Sequence, residues 1–375
     1  MFGVQKPFTK PLIARLIGEL FKPKFQLDPD EDISVFDFMS QRFGTEMAEY
    51  ISDPMCRGII AGDCRKISLR SLFPDVYRRS LAHGSFVRGM LLGKGLPMPE
   101  GLHIDKGQLT KRVTEEKWIA WSLKQGLRHF PQRLSQKLSG CDNVQLLTST
   151  QISKIGFEGK KATVTIAHES GPEQKLEAFD VFSCLPADRL SSCITQVKDA
   201  NLKTALDKIK FVDVAVACLE FEGKDALQPD AGFGFLTPSF EKTLVLGVTF
   251  DSCCFPQHDA GKDITRVTCM MGGEWFPQLF QNQSNSQMLK VAEESVRTIL
   301  GFRSKLIRSS FRLHHNCIPQ YHLNHHKVVT DIRDLVNTRC QNFNLLGSSY
   351  EGVSVNDVIF NARKAVHEFA QSPEK

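Results

Sequence analysis

The segment "LLGSSYEGVSVNDVIFNARKAV", residues 345–366, combines a buried strand, a polar turn and an amphipathic helix. The small residues Gly347 to Ser349 indicate a turn after the apolar run, and apolar residues then recur at helical spacing. Asn356 and Asp357 are residue types that cap helices, so we predict that the helix begins there. A helix start opened by small residues suits a ligand with negative oxygens, but the same join is common in α/β proteins that bind nothing at that point.

The composition is that of a globular protein with more than one core. The chain has 375 residues, of which 41% are apolar and 24% are charged, which is enough for two or three cores. The longest apolar runs fall far short of the ~18 residues that indicate a membrane-spanning helix. Residue 1 opens a basic stretch without the apolar core and cleavage site of a secretory signal.

Cysteines and histidines give no metal-site pattern. The eleven cysteines include no C-x-x-C pair, so we predict that they are reduced and mostly buried. Adjacent histidine pairs in a strand or loop point apart, which favours surface or hydrogen-bonding roles over a metal site. The histidines in question are His314, His315, His322, His325 and His326.

Positive charge is concentrated in two stretches. Residues 1–24 contain five Lys or Arg against one Glu, and residues 57–94 contain eight against two Asp, although the net charge of the chain is only +5. Such stretches are either solvated faces or surfaces for anionic lipid or an acidic substrate. No nucleic-acid-binding motif accompanies the charge, so nucleic acid is not expected as a partner.

The hydrophobic pattern changes along the chain. Residues 11–94 read as helices, and a loop follows at 95–107. A helix with a glycine turn near Gly126 is predicted over 117–138, then strands at 144–147, 151–157 and 161–167 and a strand ending at Pro186 before a helix. Residues 211–275 contain four strand candidates that indicate an antiparallel sheet, followed by a helix at 287–300.

The common enzyme motifs are absent from the sequence. It contains no nucleophile elbow, P-loop or H-E-x-x-H. The string "GFGFLT" from Gly232 lies among strands rather than between a strand and a helix, so it is not a dinucleotide fingerprint. Motifs alone therefore indicate an α+β protein without a defined activity.

Six separated segments resemble one family, the oxygen-dependent protoporphyrinogen oxidases, which are mitochondrial flavoproteins of the amine-oxidase type. The segments, in family order, are "MCRGIIAGDCRKISLRSLFP", "WSLKQGL", "FGFLTPS", "VTCMMGGEW", "NCIPQY" and "GSSYEGVSVND". The resemblance implies α/β plus α+β architecture, with an incomplete Rossmann-like FAD-binding domain, an antiparallel-sheet substrate domain and a helical membrane-associated subdomain. The implied domains are 1–104 (helical, membrane-associated), 105–200 (part of the FAD-binding domain), 201–339 (substrate-binding sheet) and 340–375 (C-terminal strand-turn-helix of the FAD-binding domain).

The resemblance also implies a cofactor and its site. FAD would lie against the C-terminal turn and near one strand residue, and the implied contacts are Ile152, Ser348, Val353, Ser354 and Val355. An apolar slot for a flat tetrapyrrole would be formed by Phe233, Leu236 and Met270. No catalytic base is identified, because flavin accepts a hydride while apolar walls orient the substrate and exclude water.

The implied reaction is oxidation of protoporphyrinogen IX to protoporphyrin IX, with FAD and molecular oxygen, forming hydrogen peroxide in a late step of heme biosynthesis. The implied location is the surface of the mitochondrial inner membrane, without a span, and a homodimer is compatible with the family. The resemblance favours the lipid interpretation of the basic stretches.

Two departures keep other readings open. The family begins with a βαβ unit bearing G-x-G-x-x-G, which binds the ADP half of FAD, and this sequence starts beyond it. Gln125 and Asn324 stand where the family usually has glycine. The alternatives are a shortened, non-catalytic form that does not hold FAD firmly, and another amine-oxidase-like flavoenzyme such as a polyamine oxidase or carotenoid desaturase.

Overall fold

The computed structural model describes residues 6–95, 102, 107–118, 121–158, 161–168, 171–194, 196, 199–224, 227 and 232–371. The α-helices are α1 (Leu12–Glu19), α2 (Val35–Phe43), α3 (Thr45–Met47), α4 (Asp53–Ile60), α5 (Leu69–Leu72), α6 (Pro74–His83), α7 (Phe86–Leu92), α8 (Gln108–Glu115), α9 (His129–Leu138), α10 (Ala187–Cys193), α11 (Ala200–Leu206), α12 (Asp251–Cys254), α13 (Phe276–Phe280), α14 (Asn285–Leu300), α15 (His325–Arg339) and α16 (Val355–Gln371). The strands are β1 (Thr150–Glu158), β2 (Lys161–His168), β3 (Gln174–Ala178), β4 (Val181–Ser183), β5 (Lys210–Glu222), β6 (Gly234–Leu236), β7 (Val245–Thr249), β8 (Ile264–Gly273), β9 (Leu306–Gln320) and β10 (Phe343–Leu345).

Helices α1 to α7 form the layer that the sequence predicted. Phe38 of α2 is fully buried in their core, and a π-helical turn, Ala48–Ser52, leads into α4. The buried carboxylate of Glu19 ends α1 and accepts hydrogen bonds from the amides of Phe86 (2.9 Å) and Val87 (3.1 Å), which open α7. The same carboxylate pairs with Arg42 of α2. One buried acid therefore holds three helices together.

The antiparallel sheet is confirmed and is longer than predicted. Its order is β6-β7-β8-β5-β9, and α14 packs on one face with Met288, Ala292 and Val296 buried. The prediction missed β9, a 15-residue strand. Most of its side chains are exposed, so it lacks the apolar alternation on which strand prediction relies.

The remaining strands form a separate core. Strands β1, β2 and β3 make one antiparallel sheet, and β4 pairs in parallel with β10. The predicted helix after Pro186 is present as α10. Helices α11 and α15, which lie at the ends of the predicted substrate domain, pack into this core rather than onto the five-stranded sheet, with Leu206 and Ile332 fully buried.

Two predictions of local structure were wrong in part, and a third is largely untested. Residues 121–128 are not helical, and the helix begins at His129 after Gly126 adopts a φ of 77°. Residues 144–147 form no strand, because no neighbouring described strand pairs with them. Most of the predicted loop at 95–107 lies outside the described residues.

The cysteines are all free, but fewer are buried than predicted. Five are buried: Cys56, Cys64, Cys193, Cys269 and Cys340. Of the others, Cys218 lies within β5, Cys253 and Cys254 lie in α12, Cys317 lies in the edge strand β9, and Cys141 and Cys184 follow α9 and β4.

Candidate functional site

The C-terminal turn lies between β10 and α16 and is fixed to its neighbours. The amide of Leu346 donates to the carbonyl of Ser183 on β4 at 2.9 Å. Gly347 has a φ of 103°, a conformation that favours glycine. The hydroxyl of buried Ser349 accepts a hydrogen bond from the amide of Ala187, at the start of α10, at 3.0 Å. These hydrogen bonds hold the turn next to the first residue of α10.

A buried pair of stacked rings, Tyr321 and His325, fixes the turn at Ser348. The Tyr321 hydroxyl donates to the carbonyl of Ser348 at 2.5 Å, and the Tyr321 ring stacks on His325 with centroids 4.1 Å apart. Burial lowers the pKa of His325 to about 4, although a backbone hydrogen bond to Tyr350 opposes this shift. His325 is therefore neutral at pH 7, and the support of Ser348 carries no charge.

The start of α16 differs from the predicted start and exposes two free amides. The helix begins at Val355, so the cap is Ser354: its hydroxyl accepts from the Asp357 amide at 3.1 Å and donates to the Asp357 carboxylate at 2.6 Å. Asn356 and Asp357 were predicted as caps but lie inside the first turn, because Ser354 and Asp357 satisfy one another. In the part of the chain that is described, the amides of Val355 and Asn356 have no hydrogen-bond partner. Such a helix terminus accepts phosphate or other anionic oxygens.

Two further predicted cofactor residues lie in neighbouring cores. Val353 packs against the core of the helical layer. Ile152, at a bulge in β1, packs against the core that also contains Phe343, Leu345 and Tyr350. The structure therefore places Ser348, Val353, Ser354 and Val355 in one turn and Ile152 in the core beneath the strand that leads to it.

The predicted apolar slot lies across the five-stranded sheet. Four residues on neighbouring strands form a row across the sheet. Leu236 of β6 pairs with Gly247 of β7, and Gly247 pairs with Met270 of β8. Met270 also pairs with Val216 of β5. Residues opposite one another in a sheet share a face. Leu236 and Met270, two of the slot residues that the family resemblance implies, therefore lie on one apolar row, and their contact with a ligand stays a prediction.

Two glycines that the sequence analysis did not single out shape this row. A Cβ on Gly247 would lie 2.7 Å from the Leu236 side chain, and a Cβ on Gly58 of α4 would lie 2.7 and 3.1 Å from two of its carbons. Leu236 thus occupies the space that these glycines leave, and α4 forms one wall of the row. The wall is not visible in the sequence, because Gly58 and Leu236 are far apart along the chain.

Phe233 is the least enclosed of the predicted slot residues. It lies just before β6, its carbonyl accepts from the Phe250 amide at 2.9 Å, and it exposes 64% of its surface. Gly234 adopts a φ of 147°, and the backbone of Val248 lies against the position that its Cβ would occupy. This close approach explains Gly234, whereas the positive φ of Gly232, 83°, explains the other glycine of "GFGFLT". Both glycines lie at the start of β6 or just before it, in agreement with their rejection as a dinucleotide fingerprint.

Comparison with known proteins identifies the family of this chain. The family model described as flavin containing amine oxidoreductase matches residues 9–368. The chain belongs to this family. It is similar to the protoporphyrinogen oxidase of Homo sapiens, with 36% identity over 96% of this chain and 72% of the human protein.

More distant relatives extend the comparison. A coproporphyrinogen III oxidase of Bacillus subtilis is 22% identical over 90% of this chain and 67% of its own length. A crystal structure of a protein from Exiguobacterium superposes with a TM-score of 0.70 and 19% identity, covering 95% of this chain and 71% of that protein. At this identity the superposition supports the fold alone.

Family membership confirms the predicted class of protein, an FAD-dependent oxidoreductase of the amine-oxidase type. The residues present fit a dinucleotide cofactor: the free amides at the start of α16 suit its anionic part, and Gly347 and Gly352, both with positive φ, keep the turn free of side chains. Individual cofactor contacts remain predictions. No helix among the described residues is long and apolar enough to cross a bilayer.

Proposed function

We propose that this protein oxidises protoporphyrinogen IX to protoporphyrin IX in heme biosynthesis, using FAD and molecular oxygen and forming hydrogen peroxide. The observation that carries the proposal is the apolar row of Leu236, Met270 and Val216, in a chain 36% identical to the human protoporphyrinogen oxidase. A flat, largely apolar macrocycle is a natural ligand for such a row.

The residues of the chain bind and orient the reactants. Bound FAD supplies a two-electron acceptor that oxygen reoxidises. Ser348, Ser354 and the amide of Val355 would hold the cofactor, with Val353 and Ile152 as apolar contacts. Leu236 and Met270 would hold the macrocycle flat, and Phe233, which is exposed, would cover it from the open side. Exclusion of water and fixed orientation are the contributions expected from apolar walls without a base.

We also propose peripheral contact with the mitochondrial inner membrane through the helical layer. Its apolar patch consists of exposed side chains at the ends of α1 and α7, namely Ile17, Phe21, Met90, Leu91 and Leu92. Phe21 and Leu91 are 83% and 77% exposed, and the guanidinium of Arg88 joins the two helices through the carbonyl of Leu20 at 3.2 Å. Lys22, Lys24 and Lys94 flank the patch in sequence, so apolar insertion and attraction to anionic lipid would act together.

Not every basic residue in this layer serves such a surface. Arg79 is largely buried; its Nε lies 2.7 Å from Asp75 and its Nη1 donates to the carbonyl of Gly93 at 3.1 Å. Arg78 pairs with the same Asp75. Arg79 therefore links α6 to the residue that follows α7 and is not available to lipid, whereas the side chain of Arg78 is 40% exposed. A homodimer stays a prediction.

The experiment is oxidation of candidate substrates by the purified protein, followed by porphyrin fluorescence. We expect activity on protoporphyrinogen IX and little on amines. Met270→Lys should abolish most of this activity with flavin content retained, because an ammonium is costly in an apolar slot; Leu109→Lys, at an exposed leucine of α8, is the control. Equal loss of flavin and activity would indicate misfolding, and wild-type activity on amines alone would refute the proposal.

The second candidate substrate is coproporphyrinogen III, which the similarity to the Bacillus protein favours. It carries more carboxylates than protoporphyrinogen IX, so the apolar row of Leu236 and Met270 should discriminate against it. A higher kcat/KM for coproporphyrinogen III would replace the proposed substrate.

A further inference from the structure

Arg57 is a buried cation without a counter-ion. It lies in α4, exposes 4% of its surface and stacks its guanidinium carbon 4.4 Å from the centre of the Trp275 ring. Its Nε is buried without a hydrogen-bond partner. Across the described residues, Arg57 makes no hydrogen bond and no ion pair within 4.0 Å.

The carboxylates nearest to Arg57 are engaged elsewhere. Asp53 accepts from the amide of Ser239 and lies 3.9 Å from Nη1 of Arg65. Asp63 accepts from the amide of Arg65 at 3.0 Å. Glu274, next to Trp275 in sequence, pairs with Lys66 at 2.5 Å. None of these acids forms an ion pair with Arg57.

This environment disfavours a lone guanidinium. Burial lowers the pKa of Arg57, and the more distant charges of Asp53 and Asp63 oppose the shift. A guanidinium stays protonated at neutral pH, so the charge is not removed by deprotonation. Stacking on Trp275 offsets part of the desolvation cost but leaves Nε without a hydrogen-bond partner. The edge of a stacked guanidinium is the side that binds a planar carboxylate through two hydrogen bonds.

The neighbours of Arg57 connect it to the apolar row. Trp275, on which Arg57 stacks, packs in the same apolar cluster as Met270. Gly58, the next residue of α4, is the glycine whose Cβ position is filled by Leu236. The helix that forms one wall of the row therefore also carries Arg57.

We propose that Arg57 binds a carboxylate of the ligand that occupies the apolar row, and so sets specificity for an acidic macrocycle. This inference rests on the proposed function, since protoporphyrinogen IX is a flat macrocycle that carries two propionate carboxylates. Arg57 is a specificity-determining residue here and takes no part in the redox chemistry.

The test compares a ligand with its charge-neutral ester. Binding of protoporphyrin IX and of its dimethyl ester is measured by fluorescence quenching for the wild type, Arg57→Met and Arg57→Lys. Arg57→Met should weaken binding of the diacid by about tenfold or more, a change of about 1.4 kcal/mol, and should leave binding of the ester nearly unchanged. Arg57→Lys should restore part of the difference, because it keeps the charge but loses the bidentate geometry.

The matched control is Arg65→Met. Arg65 also stacks on an aromatic ring, that of Phe36 at 4.0 Å, but it is half exposed and lies 3.9 Å from Asp53. It should bind diacid and ester as the wild type does. Arg57→Met should retain the circular dichroism and thermal midpoint of the wild type, because replacing an unpaired buried charge by an apolar side chain is not destabilising.

The outcomes separate the inference from the proposed function. Equal effects of Arg57→Met on diacid and ester, or no effect on either, overturn the inference while wild-type oxidation of protoporphyrinogen IX still supports the function. Selective loss of diacid binding in a protein that oxidises no porphyrinogen supports the anion site and refutes the function. Failure of the wild type to bind either porphyrin overturns the inference.

Discussion

The substitution Gly58→Ala tests whether the apolar row holds the substrate. The new Cβ would lie 2.7 Å from Cδ1 and 3.1 Å from Cγ of Leu236, and closer still to Cδ2. Carbon atoms pack at about 3.5 to 4.0 Å, so the Leu236 side chain must move by roughly 1 Å or more. Leu236 is 42% exposed and is free to move toward solvent, into the space where the macrocycle is proposed to lie.

The cost to stability should be small. Gly58 is inside α4, where alanine is more favourable than glycine by up to about 1 kcal/mol. This gain offsets much of the strain from the displaced leucine. We therefore expect the free energy of unfolding to change by less than about 1 kcal/mol, because the clash is with the end of a flexible side chain rather than with backbone.

The effect on catalysis should be large. Misplacement of a reacting group by about 1 Å lowers rates by up to about 100-fold, so kcat/KM for protoporphyrinogen IX should fall between about 10-fold and 100-fold. The assay is steady-state porphyrin fluorescence, with flavin content and thermal midpoint measured on the same samples. Gly18→Ala is the control, since Gly18 lies in α1 with nothing within 4 Å of its Cβ position.

A second variant distinguishes the clash from other causes. Leu236→Ala removes the displaced side chain, so Gly58→Ala should cause no further loss in that background. Additive losses would show that Gly58 acts by another route. An unchanged kcat/KM in Gly58→Ala, with normal flavin content, would refute the placement of the substrate on this row.

Three other predictions concern stability and lipid binding. Burial lowers the pKa of His325 to about 4, so the unfolded state binds its proton first as pH falls, and stability should drop by about 2 kcal/mol between pH 7 and pH 5; His325→Phe should lack this drop in denaturant titrations. Burial raises the pKa of Glu19, but hydrogen bonds from its side-chain and amide partners lower it overall. The Glu19 carboxylate therefore stabilises the folded protein at pH values above its pKa in the unfolded chain, and this stabilisation is lost as pH falls through its lower pKa in the folded protein. Glu19→Gln should lower the opening free energy of the α7 amides by about 3 kcal/mol at pH 7, measured by hydrogen exchange, with a smaller difference at pH 3; equal differences at both pH values would contradict this. Phe21→Ser should weaken pelleting with cardiolipin-containing vesicles at high salt, whereas Leu109→Ser, at an exposed leucine of α8, should not; equal pelleting of both variants would place the membrane contact elsewhere.

The sequence by itself determined the elements whose side chains repeat with a clear period. The alternation in residues 161–167 specified β2, and the C-terminal strand-turn-helix followed from an apolar run, small residues and a helical repeat. The predictions of β2 and of the C-terminal element were confirmed because period and residue type act over a few neighbours. Resemblance to a family supplied the redox class, which the family match confirms, and the slot residues Leu236 and Met270, whose role stays a prediction.

Only the tertiary structure decided the features that depend on distant contacts. β9 is a strand because it pairs with β5, although its exposed polar residues hide the alternation. The isolation of Arg57 is likewise a property of packing: a sequence shows the charge, but whether a carboxylate faces it depends on how α4 lies against the sheet.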